Sequence, residues 1–190
     1  MLRQLALVAT FLMASFTTVK VRAHVELNTF YTSESLSMGS NSTNSRMFIE
    51  GAIGFSIDKK STYLVGWNYS MMTTSDAKGS DTTSYSSTQM GPRFLWFMTK
   101  DKSWSLGLGY YLVTTATFST NGGESVKWRG TALKADVGYN FPVSENLYLG
   151  IRLNYSSATY SEKIEGETEL ENVSYAKTAM YPSLYAVYVF

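Results

Sequence analysis

The chain has 190 residues, a formal net charge of +1, 16% charged and 15% aromatic residues, and no cysteine. Near-neutrality removes any long-range pull toward nucleic acid, and the lack of cysteine removes disulfides and thiolate metal sites. The length suits one domain.

From Met1 to Ala23 the sequence carries Arg3, an apolar run from Leu5 to Phe16, and Val21 and Ala23 at the spacing a signal peptidase reads. That pattern predicts a secretory signal peptide over 1–23, because the run falls short of the ~20 residues a helix needs to cross a bilayer. The domain then occupies 24–190. Within it, apolar and polar positions alternate with a period of two, the mark of strands with unlike faces. Segment one, His24 to Ser33, sets Val25, Leu27 and Tyr31 against Glu26, Asn28 and Phe30. A polar stretch, Glu34 to Asn44, precedes segment two, Ser45 to Ile57, where Met47, Ile49, Ile53 and Phe55 oppose Glu50, Ala52 and Gly54. Asp58 to Ser61 is a tight turn into segment three, Thr62 to Met72, with Tyr63, Val65, Trp67 and Tyr69 on one face and Gly66, Asn68 and Ser70 on the other.

The polar loop Thr73 to Thr83 leads to segment four, Ser84 to Met98, where Pro92, Phe94 and Trp96 oppose Gly91 and Arg93. After the turn Thr99 to Lys102, segment five, Ser103 to Phe118, sets Trp104, Leu106, Leu108 and Tyr110 against Gly107, Gly109, Tyr111 and Thr115. The loop Ser119 to Ser125 and segment six, Val126 to Phe141, follow, with Leu133, Val137 and Tyr139 against Lys134, Asp136 and Gly138. Pro142 to Asn146 turns into segment seven, Leu147 to Tyr160, where Leu149, Ile151 and Leu153 oppose Gly150, Arg152 and Asn154. The loop Ser161 to Glu171 precedes the last segment, Tyr175 to Phe190, whose Met180, Pro182, Leu184, Ala186, Tyr188 and Phe190 form one apolar face.

Eight segments, joined alternately by long polar and short connections, predict an all-β fold. The expected form is an eight-stranded antiparallel up-and-down transmembrane β-barrel with both termini periplasmic and four loops outside the cell. A soluble barrel would turn its apolar face inward. The polar face, however, carries Glu26, Glu50, Arg93, Lys134, Asp136, Arg152 and Lys177. Facing lipid would cost about 2–4 kcal/mol for each Arg or Lys near the midplane, so that face points inward. Charges there must be paired and hydrogen-bonded, which predicts a polar, plugged interior with inward glycines making room for long side chains. A gated ion path, in which an Arg or Lys changes carboxylate partner, is the alternative. Tyr31, Tyr63, Tyr69, Trp104, Tyr139, Phe141, Tyr155 and Phe190 suit two interfacial girdles.

The strand spacing, the inward charges and the ending on Tyr188 and Phe190 resemble the small eight-stranded outer-membrane barrels, the group containing the OmpA membrane domain, OmpX, Ail and OmpW. The resemblance implies residence in the bacterial outer membrane among its lipid and lipopolysaccharide, with Tyr188 and Phe190 as the terminal signal read by the barrel assembly machinery. A chain ending at its last strand would lack the cell-wall-binding domain of full-length OmpA-type proteins. Some barrels of this size are lipid A enzymes that use a His with a Ser and a carboxylate. Here the only histidine is His24, at the expected periplasmic start of the mature chain, where a free terminal residue is poorly oriented as a base. No catalytic, cofactor or metal set is therefore assigned. Glu162, Glu165, Glu167, Glu169 and Glu171, opposed by Lys163 alone, predict an acidic outer loop that could take divalent cations or a basic partner. The expected function is structural or adhesin-like, through outer loops that meet a host or neighbouring-cell surface ligand. A narrow pore for ions or small solutes is the second expectation.

Overall fold

The computed structural model describes residues 22–38, 40–121, 123, 125–165 and 169–190. The strands are β1 (Ala23–Met38), β2 (Ser40–Ser56), β3 (Tyr63–Lys78), β4 (Asp81–Phe97), β5 (Trp104–Thr120), β6 (Val126–Pro142), β7 (Leu147–Glu165) and β8 (Glu169–Val189). Each pairs antiparallel with the next, and β1 pairs with β8, so one sheet closes into a barrel. The period-two pattern explains the wall, since alternate side chains point outward and inward. Val25, Leu27, Ile53, Trp67, Leu133, Ile151 and Leu184 are exposed, whereas Glu26, Glu50, Arg93, Lys134, Asp136 and Arg152 are buried. The expected signal peptide lies outside the described residues except for its last two positions, of which Ala23 already begins β1.

Three of the expected polar loops are mostly strand. β3 and β4 run on to Lys78 and Asp81 and are joined through Gly79 and Ser80, and β1 with β2 and β7 with β8 extend likewise. Strands of 16 to 21 residues exceed the ~9–11 needed to cross a bilayer. The reason is that backbone N–H and C=O groups need partners outside the membrane too, and an established antiparallel register supplies them. The acidic loop is corrected in the same way. Glu162 sits in β7 opposite Arg129 of β6, where opposite charges across strands are favourable. Glu167 lies outside the described residues, as do the side chains of Glu165, Glu169 and Glu171.

One face assignment changes. β5 carries a bulge between Tyr111 and Thr114, so Leu112 and Val113 are both exposed and Thr114 is buried. The extra residue reverses the parity beyond it, which turns Thr115 outward and not inward as the pattern predicts.

The ring closes unevenly. β1 and β8 pair from His24–Val189 only as far as Thr29–Leu184. The N–H of Phe190 donates to the carbonyl of Ala23 at 2.8 Å, so alternate N–H groups back along β8 face β1. Pro182 occupies the position after Leu184 in that series and has no N–H. Beyond it the gap is bridged from inside by rings: Tyr181 lies 6.2 Å from Phe30 and 4.7 Å from Phe48, centroid to centroid.

Candidate functional site

The interior is built in three layers. At the end bearing Ala23 and Phe190, Leu64, Leu95, Phe97, Tyr148, Tyr185, Val187 and Val189 form an apolar cluster, and Lys102 Nζ sits 5.4 Å from the Phe97 ring and 5.3 Å from the Tyr148 ring. The charged layer comes next. Arg93, on β4, donates through Nε to Glu26 Oε2 of β1 at 2.8 Å and through Nη1 and Nη2 to Asp136 of β6 at 2.8 and 3.3 Å. Arg152 Nη1 donates to Asp136 Oδ1 at 2.7 Å. Lys134 Nζ donates to both Glu50 oxygens at 2.6 Å. The Arg93 and Lys134 links cross the lumen between strands that are not neighbours in the sheet, whereas Arg152–Asp136 joins the adjacent β7 and β6.

Sequence reasoning missed the neutral partners. Tyr111 donates to Glu50 Oε2 at 2.8 Å and accepts from Asn68 Nδ2 at 2.9 Å. Asn28 Nδ2 reaches Glu50 Oε1 and Asn154 Oδ1, both at 3.3 Å, and Asn154 Nδ2 donates to Ser183 Oγ at 2.7 Å. Their signal was available, because each shares the inward parity of a charged residue two positions away on its strand or on the one beside it. Close approach of two glycines makes the room. A Cβ on Gly107 would run into the Asp136 carboxylate, and one on Gly138 would stand 2.8 Å from Arg152 Cγ. His24 is also placed differently from expectation. It is not a loose terminus but a buried β1 residue paired with Val189, its Nε2 3.3 Å from Glu26 Oε1.

Lys177 does not join this layer. Its Nζ lies 3.0 Å from the centroid of the Tyr85 ring, at the far end of the lumen. Without it, three buried carboxylates (Glu26, Glu50, Asp136) face three buried cations (Arg93, Lys134, Arg152). Formal charge is then balanced, which buried ions require. Above the charged layer, Tyr85, Tyr111, Ala116, Ala132, Ala158 and Tyr160 pack with Phe118 and Trp128. That third layer ends in a cavity of about 290 Å³ open at the hairpin end, lined among others by Asp76, Tyr85, Trp128, Tyr160, Tyr175 and Lys177.

The outer wall is a continuous apolar belt. Tyr31, Tyr63, Tyr69, Trp104, Tyr139, Phe141, Tyr155 and Phe190 are all exposed, and Trp104–Tyr139, Tyr139–Phe141 and Tyr188–Phe190 are edge-to-face pairs 5.2, 5.0 and 4.8 Å apart. Soluble proteins rarely expose apolar patches beyond a few hundred Å². No helix among the described residues is long and apolar enough to cross a membrane; the strands do so.

No protein-family model and no curated protein matches the chain. Among solved structures, Neisserial surface protein A aligns over 90% of this chain and 97% of its own, at 14% identity and a TM-score of 0.52. In fold, the chain is an eight-stranded outer-membrane β-barrel. Two further solved structures align less well. Ail, the attachment invasion locus protein of Yersinia pestis, solved with the heparin analogue sucrose octasulfate, covers 90% of this chain and 97% of its own at 14% identity and a TM-score of 0.42. The β domain of the Bordetella autotransporter Brka covers 86% and 68% at 13% identity and a TM-score of 0.43. A barrel of this fold keeps its charges inside the ring and turns its apolar belt outward.

Proposed function

We propose that this barrel is a non-conducting, non-enzymatic outer-membrane protein that presents its four hairpins to ligands on a host or neighbouring-cell surface or to lipopolysaccharide. The observation that carries the reading is the interior network, in which Arg93 is held by Glu26 on one side of the lumen and Asp136 on the other. An eight-stranded barrel encloses a space only wide enough for side chains. With apolar or aromatic layers on both sides of the ion pairs, a hydrated path has no room. Function then belongs to the strand ends that rise beyond the apolar belt. In this reading the termini and the short turns lie in the periplasm, the sequence before His24 is a cleaved signal peptide, and Tyr188 and Phe190, paired on the outer face, form the signal read during barrel assembly.

The test has two arms. In planar bilayers the refolded chain should give no steady conductance. Cells displaying it should lose surface adhesion when the β1–β2 and β3–β4 hairpins are shortened. Discrete openings altered by Arg93→Ala would establish the narrow pore instead, and adhesion indifferent to hairpin length would remove the surface role.

A further inference from the structure

The geometry points to the cavity at the hairpin end as a carbohydrate subsite that accepts one sugar ring, stacked on Tyr175. This rests on the reading of the hairpin end as an interaction surface and gives that surface a ligand class. The cavity is blind. Its floor is the pair Tyr85 and Tyr160, whose hydroxyls bond to each other at 2.6 Å, above the buried Tyr111, Ala116, Ala132 and Ala158. One wall is aromatic: Trp128 packs 5.8 Å from Tyr160 and 5.3 Å from Tyr175. Tyr175 is backed by that indole and still 51% exposed, so a flat ring is held in place with area to spare. Hydrogen-bonding groups stand around it. Lys177 contributes its ammonium, and Asp76, already accepting from Asn44 Nδ2, keeps further acceptor capacity.

A pyranose matches that arrangement, since it offers an apolar C–H face to an aromatic ring and hydroxyls at its edge to donors and acceptors. Competing occupants fit worse. A lipid chain would have to leave the apolar belt, which on β8 ends at Met180, for a cavity edged by Asp76 and Lys177. An extended peptide needs a through-groove, and the Tyr85–Tyr160 floor closes this one. An organic cation would compete with Lys177, whose ammonium already covers the Tyr85 ring. A volume of about 290 Å³ is at the small end for ligand cavities, so one ring enters and the rest of a glycan lies outside.

The sugar has two possible sources, the core oligosaccharide of lipopolysaccharide in the same membrane and a glycan on another surface. The refolded full chain is titrated with lipopolysaccharide bearing a complete core, with lipid A lacking those sugars, and against an immobilised panel of oligosaccharides. Tyr175→Ala, Tyr175→Phe and Trp128→Phe variants are run beside it, each checked for folding by its unheated electrophoretic mobility. Sugar-dependent binding should fall at least tenfold in Tyr175→Ala and stay within threefold in Tyr175→Phe. It should also shift tryptophan emission in the parent and not in Trp128→Phe, because Trp67, Trp96 and Trp104 lie on the outer wall. A preference for core-bearing lipopolysaccharide over lipid A assigns the first source, and binding on the panel assigns the second. If no probe binds through its sugars, or folded Tyr175→Ala binds as the parent does, the subsite is overturned. Hairpin-dependent adhesion in that event leaves the wider surface role standing.

Discussion

Asp136 accepts from Arg93 through both oxygens and from Arg152 through one, and all three side chains are buried. Replacing it with Asn preserves shape and removes the charge that two guanidinium groups share. Breaking a buried pair by deleting one partner costs about 3–5 kcal/mol, so Asp136→Asn should lower unfolding free energy by that much in a urea titration of the lipid-embedded barrel. Asp58, in the turn between β2 and β3, has a different, solvent-side role. Partial burial disfavours its ionised form, yet bonds from the backbone N–H groups of Tyr63, Thr62 and Lys60 outweigh burial and hold its carboxyl below the ordinary aspartate value. A carboxylate with a depressed folded pKa contributes stability that is complete above its unfolded value of about 3.9 and is lost as pH falls through the folded one. Denaturation midpoints followed downward from pH 5 should therefore drop less in Asp58→Asn than in the parent.

At the scale of elements, the β1–β8 contact is the weakest joint of the wall. Every other neighbouring pair continues well beyond the apolar belt, whereas this one stops at Thr29–Leu184. Pro182 accounts for the stop, because it stands where the next N–H toward β1 would be. An unpaired strand edge within hydrocarbon is prohibitively costly. The break, however, begins just past Thr29 and Leu184, close to the outward Met180 that ends the belt on β8, so most of the exposed edge lies outside it. Amide exchange should accordingly be faster over 30–35 of β1 than over the same level of β3. Pro182→Val supplies the missing donor and should slow exchange at Tyr31 and its neighbours; unchanged rates would show that the ring stack of Phe30, Tyr181 and Phe48, and not the proline, sets the break.

For the whole molecule, stability and recognition occupy different heights. The belt, the apolar cluster at the end bearing Ala23 and Phe190 and the ion pairs form one unit, and the hairpins extend from it with mostly polar, solvated faces. Replacing 75–84 by a two-residue turn should then leave the folded, heat-modifiable electrophoretic form intact. Its melting temperature should move by no more than a few degrees, because a ΔΔG of 1 kcal/mol shifts Tm by roughly 2–4 °C in a domain of this size. Collapse of folding on that deletion would mean that the hairpin is part of the unit and not an appendage to it.

Architecture and orientation were legible in the sequence because both follow from local alternation. Residues two apart share a face, and a face bearing Glu26, Glu50, Arg93, Lys134, Asp136 and Arg152 cannot meet lipid. Pairing was not legible. Arg93 is separated from Glu26 by 67 positions and from Asp136 by 43, and only the closed ring and its register bring them together. Lys177 shows the limit most clearly. Parity turns it inward like the others, but its height on β8 sets it among aromatic rings, and height depends on registers that no single strand contains. Likewise Pro182 reads in one dimension as an ordinary apolar residue of the last strand. Its consequence for closure appears only when β1 lies beside it, because a missing hydrogen-bond donor matters only where an acceptor is waiting.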